Sequence, residues 1–169
     1  EGIDEEVRNK IIAEAKFFRA EAYFYLYRMY NNIYVTTEST TVDNAFDVID
    51  AKSTDEEVFA LLNSDLSFAI DNLDWTDTFG RVTKGTAKHV KAKVAMWQGD
   101  WTEAKNQAVS LIEEGPHSLV GSTAEVFAGD RNHSESLFVV QSQDDVLGGG
   151  DNTMINANFV TQYFQIPGI

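Results

Sequence analysis

The stretch "DNLDWTDTFGRVTKG", residues 71–85, sets the carboxylates Asp74 and Asp77 beside the rings of Trp75 and Phe79 in a polar segment without helical or strand periodicity. Exposed rings offer flat apolar faces, and carboxylates accept hydrogen bonds from hydroxyls. Together they suit a sugar, whose C–H faces stack on rings while its hydroxyls seek acceptors. Asp74, Trp75, Asp77 and Phe79 are therefore candidate ligand-binding residues. Tyr163, beside Phe164 and Gln165, is a further candidate near the end of the chain. For Trp75 the competing expectation is a loop anchor that plugs the domain.

Other residue sets are poorer in chemistry. Asp74 with Asp77, or Asp144 with Asp145, would serve as the carboxylate pair of a glycosidase. With 27 Asp and Glu in the chain, such neighbours arise readily and select no reaction. The three histidines, His89, His117 and His133, lack metal-ligand spacing, and the absence of Cys excludes thiolate metal sites, disulfides and cysteine nucleophiles in this chain. The turn "GGGD" with Asn152 has a calcium-loop flavour in a single copy, which predicts nothing. No catalytic residue, metal or cofactor is expected. A basic cluster, Arg81, Lys84, Lys88, His89, Lys91 and Lys93, stands out because the formal charge is −14. Its simplest role is a solvated face balanced by acidic neighbours, with a transporter contact or an anionic ligand as the alternative. The net charge argues against nucleic-acid backbones and anionic membranes as main partners.

Four helices must position these residues. The first runs from about Asp4 to Tyr30. Ile11, Ala15, Phe18, Ala22, Tyr25 and Met29 recur along it at steps of three and four and predict one buried face. Phe17, Phe24, Leu26 and Tyr27 widen that face, so burial on most sides is expected. A polar connection spans 31–53. The second helix begins at Thr54, which has capping-box spacing to Glu57, and turns Val58, Leu62, Leu66, Ala69 and Leu73 inward. The third covers about Lys84 to Gln98, with Ala87, Val90, Val94 and Trp97 on its inner side. Gly99 ends it, and Asp100 caps a fourth helix that carries Ala104, Ala108, Leu111 and Ile112 and stops at Gly115-Pro116. The tail from His117 mixes a short apolar run, Leu137 to Val140, with the loop "LGGGDN" and a segment "MINANFVTQYFQ" that fits either a helix or an extended strand.

The stretch "MWQGDWTEA" joins the third and fourth helices. Its spacing of Ala92, Gly99, Trp101, Ala104 and Pro116 resembles the 34-residue tetratricopeptide pattern, in which small residues let helices approach and a glycine permits the turn. Lys88, Lys91 and Ala95 depart from that pattern, which prefers large apolar residues there. On this reading Trp97 belongs to the core and Trp101 wedges the hairpin. The fold expected is mainly α: tetratricopeptide-like hairpins in an α/α superhelix, with loop-rich insertions and a short β or irregular C-terminal part. Residues 1–169 are expected to form a single helical-repeat domain excerpted from a longer chain.

Three stretches together resemble the SusD/RagB family of Bacteroidetes outer-membrane nutrient-binding proteins. "AEAKFFRAEAYFYLYRMYNNIYVTTE" is similar to that family's first long helix and exit loop. "GRVTKGTAKHVKAKVAMWQGDWTEAKNQA" is similar to its G-R-A-T-K-G-A-A segment and G-D-W turn, and "NHSESLFVVQ" to its N-x-E-x-I-F-x-x-Q segment. Order and spacing agree over about residues 11–141. Asn31-Asn32-Ile33-Tyr34 replaces the family's G-D-x-P, and Val82 replaces its usual Ala.

The resemblance implies non-catalytic binding of oligosaccharide nutrients at the cell surface and delivery to a TonB-dependent, SusC-like transporter. It implies an outer-membrane lipoprotein whose lipid anchor lies outside this chain. The alternatives are a peptide-binding member of the same family and a generic tetratricopeptide adaptor for a protein partner.

Overall fold

The computed structural model describes residues 2–30, 32–47, 52–126 and 133–139. The chain divides into two units, 1–138 and 139–169, and the described helices belong to the first. It is helical, with α1 Glu5–Met29, α2 Asp55–Asn72, α3 Lys84–Gln98, α4 Trp101–Glu114 and a single turn, α5 Thr123–Val126. No strand occurs among the described residues. No described helix is long and apolar enough to cross a membrane.

The caps explain where each helix starts. Asp4 accepts from the Glu6 N–H at α1, and Thr54 and Glu57 form a full capping box at α2. Thr83 pairs reciprocally with Thr86 at α3, and Asp100 accepts from the Glu103 N–H at α4. Each cap satisfies donors that a helix N-terminus otherwise leaves unpaired. The α3–α4 turn rests on Gly99, whose φ of +78° lies in the left-handed region that glycine enters without a Cβ clash.

Successive helices pack antiparallel. Lys10 near the start of α1 meets Asp74 just beyond α2, while Tyr27 near its end stacks edge-on against Phe59 near the start of α2. Lys91 of α3 reaches back to Ser67 of α2 and across to Glu103 of α4. The result is two stacked helical hairpins. Their shared core comprises Ala13, Phe17, Ala20 and Phe24 of α1, Val58, Leu62, Leu66 and Ala69 of α2, and Ala87, Val90 and Val94 of α3.

The first helix corrects the sequence reading. Ile11, Phe18, Tyr25 and Met29 are 53, 49, 55 and 60% exposed, and Ala15 and Ala22 also face outward. The buried stripe is instead Ala13, Phe17, Ala20 and Phe24. Two apolar stripes run along this helix, and only one meets α2. Ala13 and Ala20 let the backbones approach closely. On α4 the outcome is similar: Ala104 is buried, whereas Ile112 is 73% exposed.

The long connection after α1 is pinned at its entry and exit. Tyr23 Oη accepts from the Thr36 N–H and donates to the Thr36 carbonyl, closing a loop onto α1. Val35 N–H donates to Ser53 Oγ, and Ser53 N–H donates to the Ile33 carbonyl. Between these ties, Val42 and Phe46 are 89 and 92% exposed.

Segment 133–138 docks on the start of α3. Thr86 Oγ1 donates to the Leu137 carbonyl at 2.8 Å, and the Phe138 ring packs edge-on against Phe18. Gly85 makes room nearby, since a Cβ there would meet His117 Nε2 at 3.0 Å and Leu111 Cδ1 at 3.2 Å.

Candidate functional site

The loop between α2 and α3 carries the residues singled out for ligand chemistry, and it is firmly held. The Asp74 carbonyl accepts from the Lys84 N–H at 2.8 Å, and Gly80, with φ of +90°, turns the chain back toward α3. Lys10 reaches both carboxylates, at 3.1 Å from Asp74 and 3.0 Å from Asp77. Asp77 also accepts from the Thr78 N–H and faces Arg81 at 3.8 Å. Arg81 in turn grips Glu14 of α1 through Nε and Nη2. The loop is thus tied to α1 by a network of charges.

This network sets the titration of Asp77. Burial pushes its carboxyl up, but the hydrogen bonds from Lys10 and the Thr78 N–H, with the charges of Lys10 and Arg81, outweigh burial and hold it below the ordinary carboxylate range. Lys10 is raised for the complementary reason, chiefly its hydrogen bonds to Asp77 and Asp74. A depressed carboxyl is the reverse of what a general acid near neutral pH needs.

Trp75 is half-buried. Its ring edge lies 3.0 Å from where a Cβ on Gly115 would stand, so it packs on the exit of α4. The Lys88 ammonium sits 5.8 Å from its ring centroid. Phe79 is 38% exposed on the same loop. The structure therefore brings Asp74, Trp75, Asp77 and Phe79 into one tied loop, with the carboxylates already engaged by Lys10. Tyr163, Phe164, Gln165, Asp144, Asp145 and the "GGGD" turn lie outside the described residues.

The basic cluster disperses into separate contacts. Arg81 pairs with Glu14, Lys91 with Glu103 and Ser67, and Lys88 lies over Trp75. The histidines also go separate ways, and no group of metal-ligating side chains gathers among the described residues. His117 Nδ1 lies 3.3 Å from the Ser134 carbonyl, and His133 Nδ1 accepts from the Glu135 N–H.

The tryptophans of the α3–α4 turn require a correction. Trp97 and Trp101 are 56 and 66% exposed, so neither is a core residue nor a buried wedge. Helical spacing predicts the direction in which Trp97 points, but not whether a neighbour extends far enough to cover it. Among the described residues its ring meets that of Phe24, nearly perpendicular, with centroids 6.2 Å apart. Of the other repeat positions, Ala104 is buried, Ala92 is half-buried and Pro116 is exposed just beyond α4.

Among the described residues, open grooves flank the bundle. One, of about 370 Å³, lies between Leu111, Ile112, His117, Leu119, Glu135 and Leu137. Another, of about 290 Å³, lies between Phe24, Arg28, Lys93, Met96, Trp97 and Trp101. The sequence reading missed Arg28 as a groove residue and assigned Lys93 only to the basic cluster. The available signal was spacing, since Arg28 follows Phe24 and Trp97 follows Lys93 by one helical turn.

No family model matches the chain. It is 28% identical over 162 residues to "SusD-like protein P25" of Formosa agariphila, covering 94% of this chain and 30% of that relative. It is 29% identical over 152 residues to a "SusD-like protein" of Bacteroides ovatus, covering 82% of this chain and 27% of the relative. The chain thus spans less than a third of the length of these relatives. Among solved structures, one determined with a xylogluco-oligosaccharide superposes with a TM-score of 0.78 at 26% identity, over 95% of this chain and 35% of that one.

Proposed function

We propose that this chain, which is similar to SusD-like proteins over most of its length, is the helical-repeat part of a protein that captures oligosaccharides without chemical turnover. The observation that carries this reading is the match over 95% of the chain to a structure solved with a xylogluco-oligosaccharide. Asp77 favours binding over hydrolysis, since its ionised carboxylate is held by Lys10 and Arg81. In this reading the protein sits at the cell surface, anchored to the outer membrane by lipid, and passes its ligand to a TonB-dependent, SusC-like transporter. The loop of Asp74, Trp75, Asp77 and Phe79 is one proposed ligand contact, with Tyr163 as a further one.

Isothermal titration of the full-length protein against neutral oligosaccharides, xyloglucan fragments included, tests the binding. Heat from at least one glycan, with the glycan recovered intact, is the expected result. Silence across the panel together with binding of peptides would replace this reading with peptide uptake. Co-purification of the transporter from detergent-solubilised outer membranes tests the hand-over.

A further inference from the structure

We infer that the groove between the end of α1 and the α3–α4 turn is a binding site for an acidic sugar, one bearing a carboxylate or sulfate. The inference rests on the glycan-binding reading above and names both a ligand class and a second place of contact.

The groove is built from aromatic and cationic groups. Phe24, 2% exposed, forms its floor, and Trp97, Trp101 and Met96 form walls that are 56, 66 and 52% exposed. Indoles left this open on regular helices leave apolar area uncovered, and pyranose C–H faces can occupy it. Arg28 is held in place from below. Its guanidinium lies 4.6 Å from the Phe24 centroid and 5.8 Å from that of Tyr25, and Nε donates to the Phe24 carbonyl. A stacked guanidinium keeps its outward N–H groups free to fork onto a carboxylate or sulfate.

Charge selects the class of sugar. In this chain of net charge −14, several cations are neutralised internally. Arg8 pairs with Glu5, Lys10 with Asp74 and Asp77, Lys16 and Arg19 with Asp65, Arg81 with Glu14 and Lys91 with Glu103. Arg28 and Lys93, like Lys52, Lys84, Lys88 and Lys105, have no acidic partner within 4.0 Å among the described residues, and these two line the same groove. A neutral sugar would leave both cations without a counter-charge, whereas an acidic one supplies it. The volume of about 290 Å³ lies just below the range of ligand pockets, roughly 300–1,000 Å³, and suits a terminal sugar.

The test titrates the full-length protein with tetragalacturonate, a sulfated carrageenan tetrasaccharide and neutral cellotetraose, alongside Arg28→Gln, Lys93→Gln and Trp101→Ala. The expected result is binding of one acidic ligand that weakens at least tenfold in Arg28→Gln and Trp101→Ala, with thermal midpoints unchanged. Weakening by added salt should be shallower in Lys93→Gln. Whichever of the two acidic probes binds identifies the anion. Binding of neutral glycans alone, unaffected by the variants, would overturn this site and leave the general glycan-binding reading intact. Failure of every glycan would overturn both. A large fall in thermal midpoint with affinity retained would make the groove a packing surface and sink the inference.

Discussion

Asp65, without exposed surface, takes two hydrogen bonds from the Arg19 guanidinium, Nε to Oδ2 at 2.6 Å and Nη2 to Oδ1 at 2.7 Å. Lys16 adds a third contact at 2.8 Å. These bonds tie the middle of α1 to the middle of α2. They help fix the rotation of α1, and so which of its two apolar stripes is buried. A fork of this kind is both strong and directional.

Removing the acceptor should therefore be costly. Asp65→Ala leaves two cations beside an apolar core and is expected to destabilise the protein by about 3–5 kcal/mol, as when one member of a buried ion pair is lost. Urea unfolding followed by circular dichroism measures this. A loss below about 1 kcal/mol would show that the ions escape freely to water.

The tie between α1 and the α2–α3 loop predicts a pH dependence at both ends. Asp77 is depressed, so its contribution is full above the unfolded value near ~3.9 and is lost as pH falls through the lower folded value. Lys10 is raised, so its contribution is full below ~10.4 and is lost as pH rises through the higher folded value. Both effects should be small, at most about 1 kcal/mol, because water screens the pair. Comparing thermal midpoints of wild type and Asp77→Asn across pH should show the difference shrinking in acid. A constant difference would remove the ion pair as its cause.

Gly99 isolates backbone strain from packing. A Cβ there would have nothing within 4 Å, yet φ is +78°. Gly99→Ala should therefore cost roughly 1–2 kcal/mol through the left-handed backbone alone. Gly99→Asn should cost less, because asparagine tolerates that region. Equal midpoints for all three proteins would show that the turn relaxes.

The docking of segment 133–138 hinges on Thr86. Thr86→Val keeps the shape but deletes both the donor to the Leu137 carbonyl and the acceptor of the Thr83 N–H, with an expected cost of about 1–2 kcal/mol. Limited proteolysis should then cut near residues 133–138 sooner than in wild type. An unchanged cutting pattern would mean that Phe138 packing alone holds the segment.

Local signals were legible in the sequence because they act over one helical turn. Thr54 with Glu57, Gly99 and Asp100 set helix ends through bonds between near neighbours. The inner faces of α2 and α3 were legible up to Val94 for a related reason, since each carries one dominant apolar stripe. Asp65 lies on that same stripe of α2, three residues after Leu62. A charge placed there pointed to a partner, and Lys16 and Arg19, spaced by three on α1, were the matching cations.

Tertiary structure decided what periodicity leaves open. The first helix has two apolar stripes, and the approach of α2 chose the one with Ala13 and Ala20. Trp97 and Trp101 looked like core because they extend helical faces, but a face becomes core only where a neighbour reaches it. The same holds for Asp74 and Asp77, which looked available in a polar loop until folding brought Lys10 to them from α1. Sequence alone determined where the helices begin and end, because caps and turns are made by residues a few positions apart. Which surfaces they bury, and which charges they satisfy, depended on contacts between residues as distant in the chain as Lys10 and Asp77.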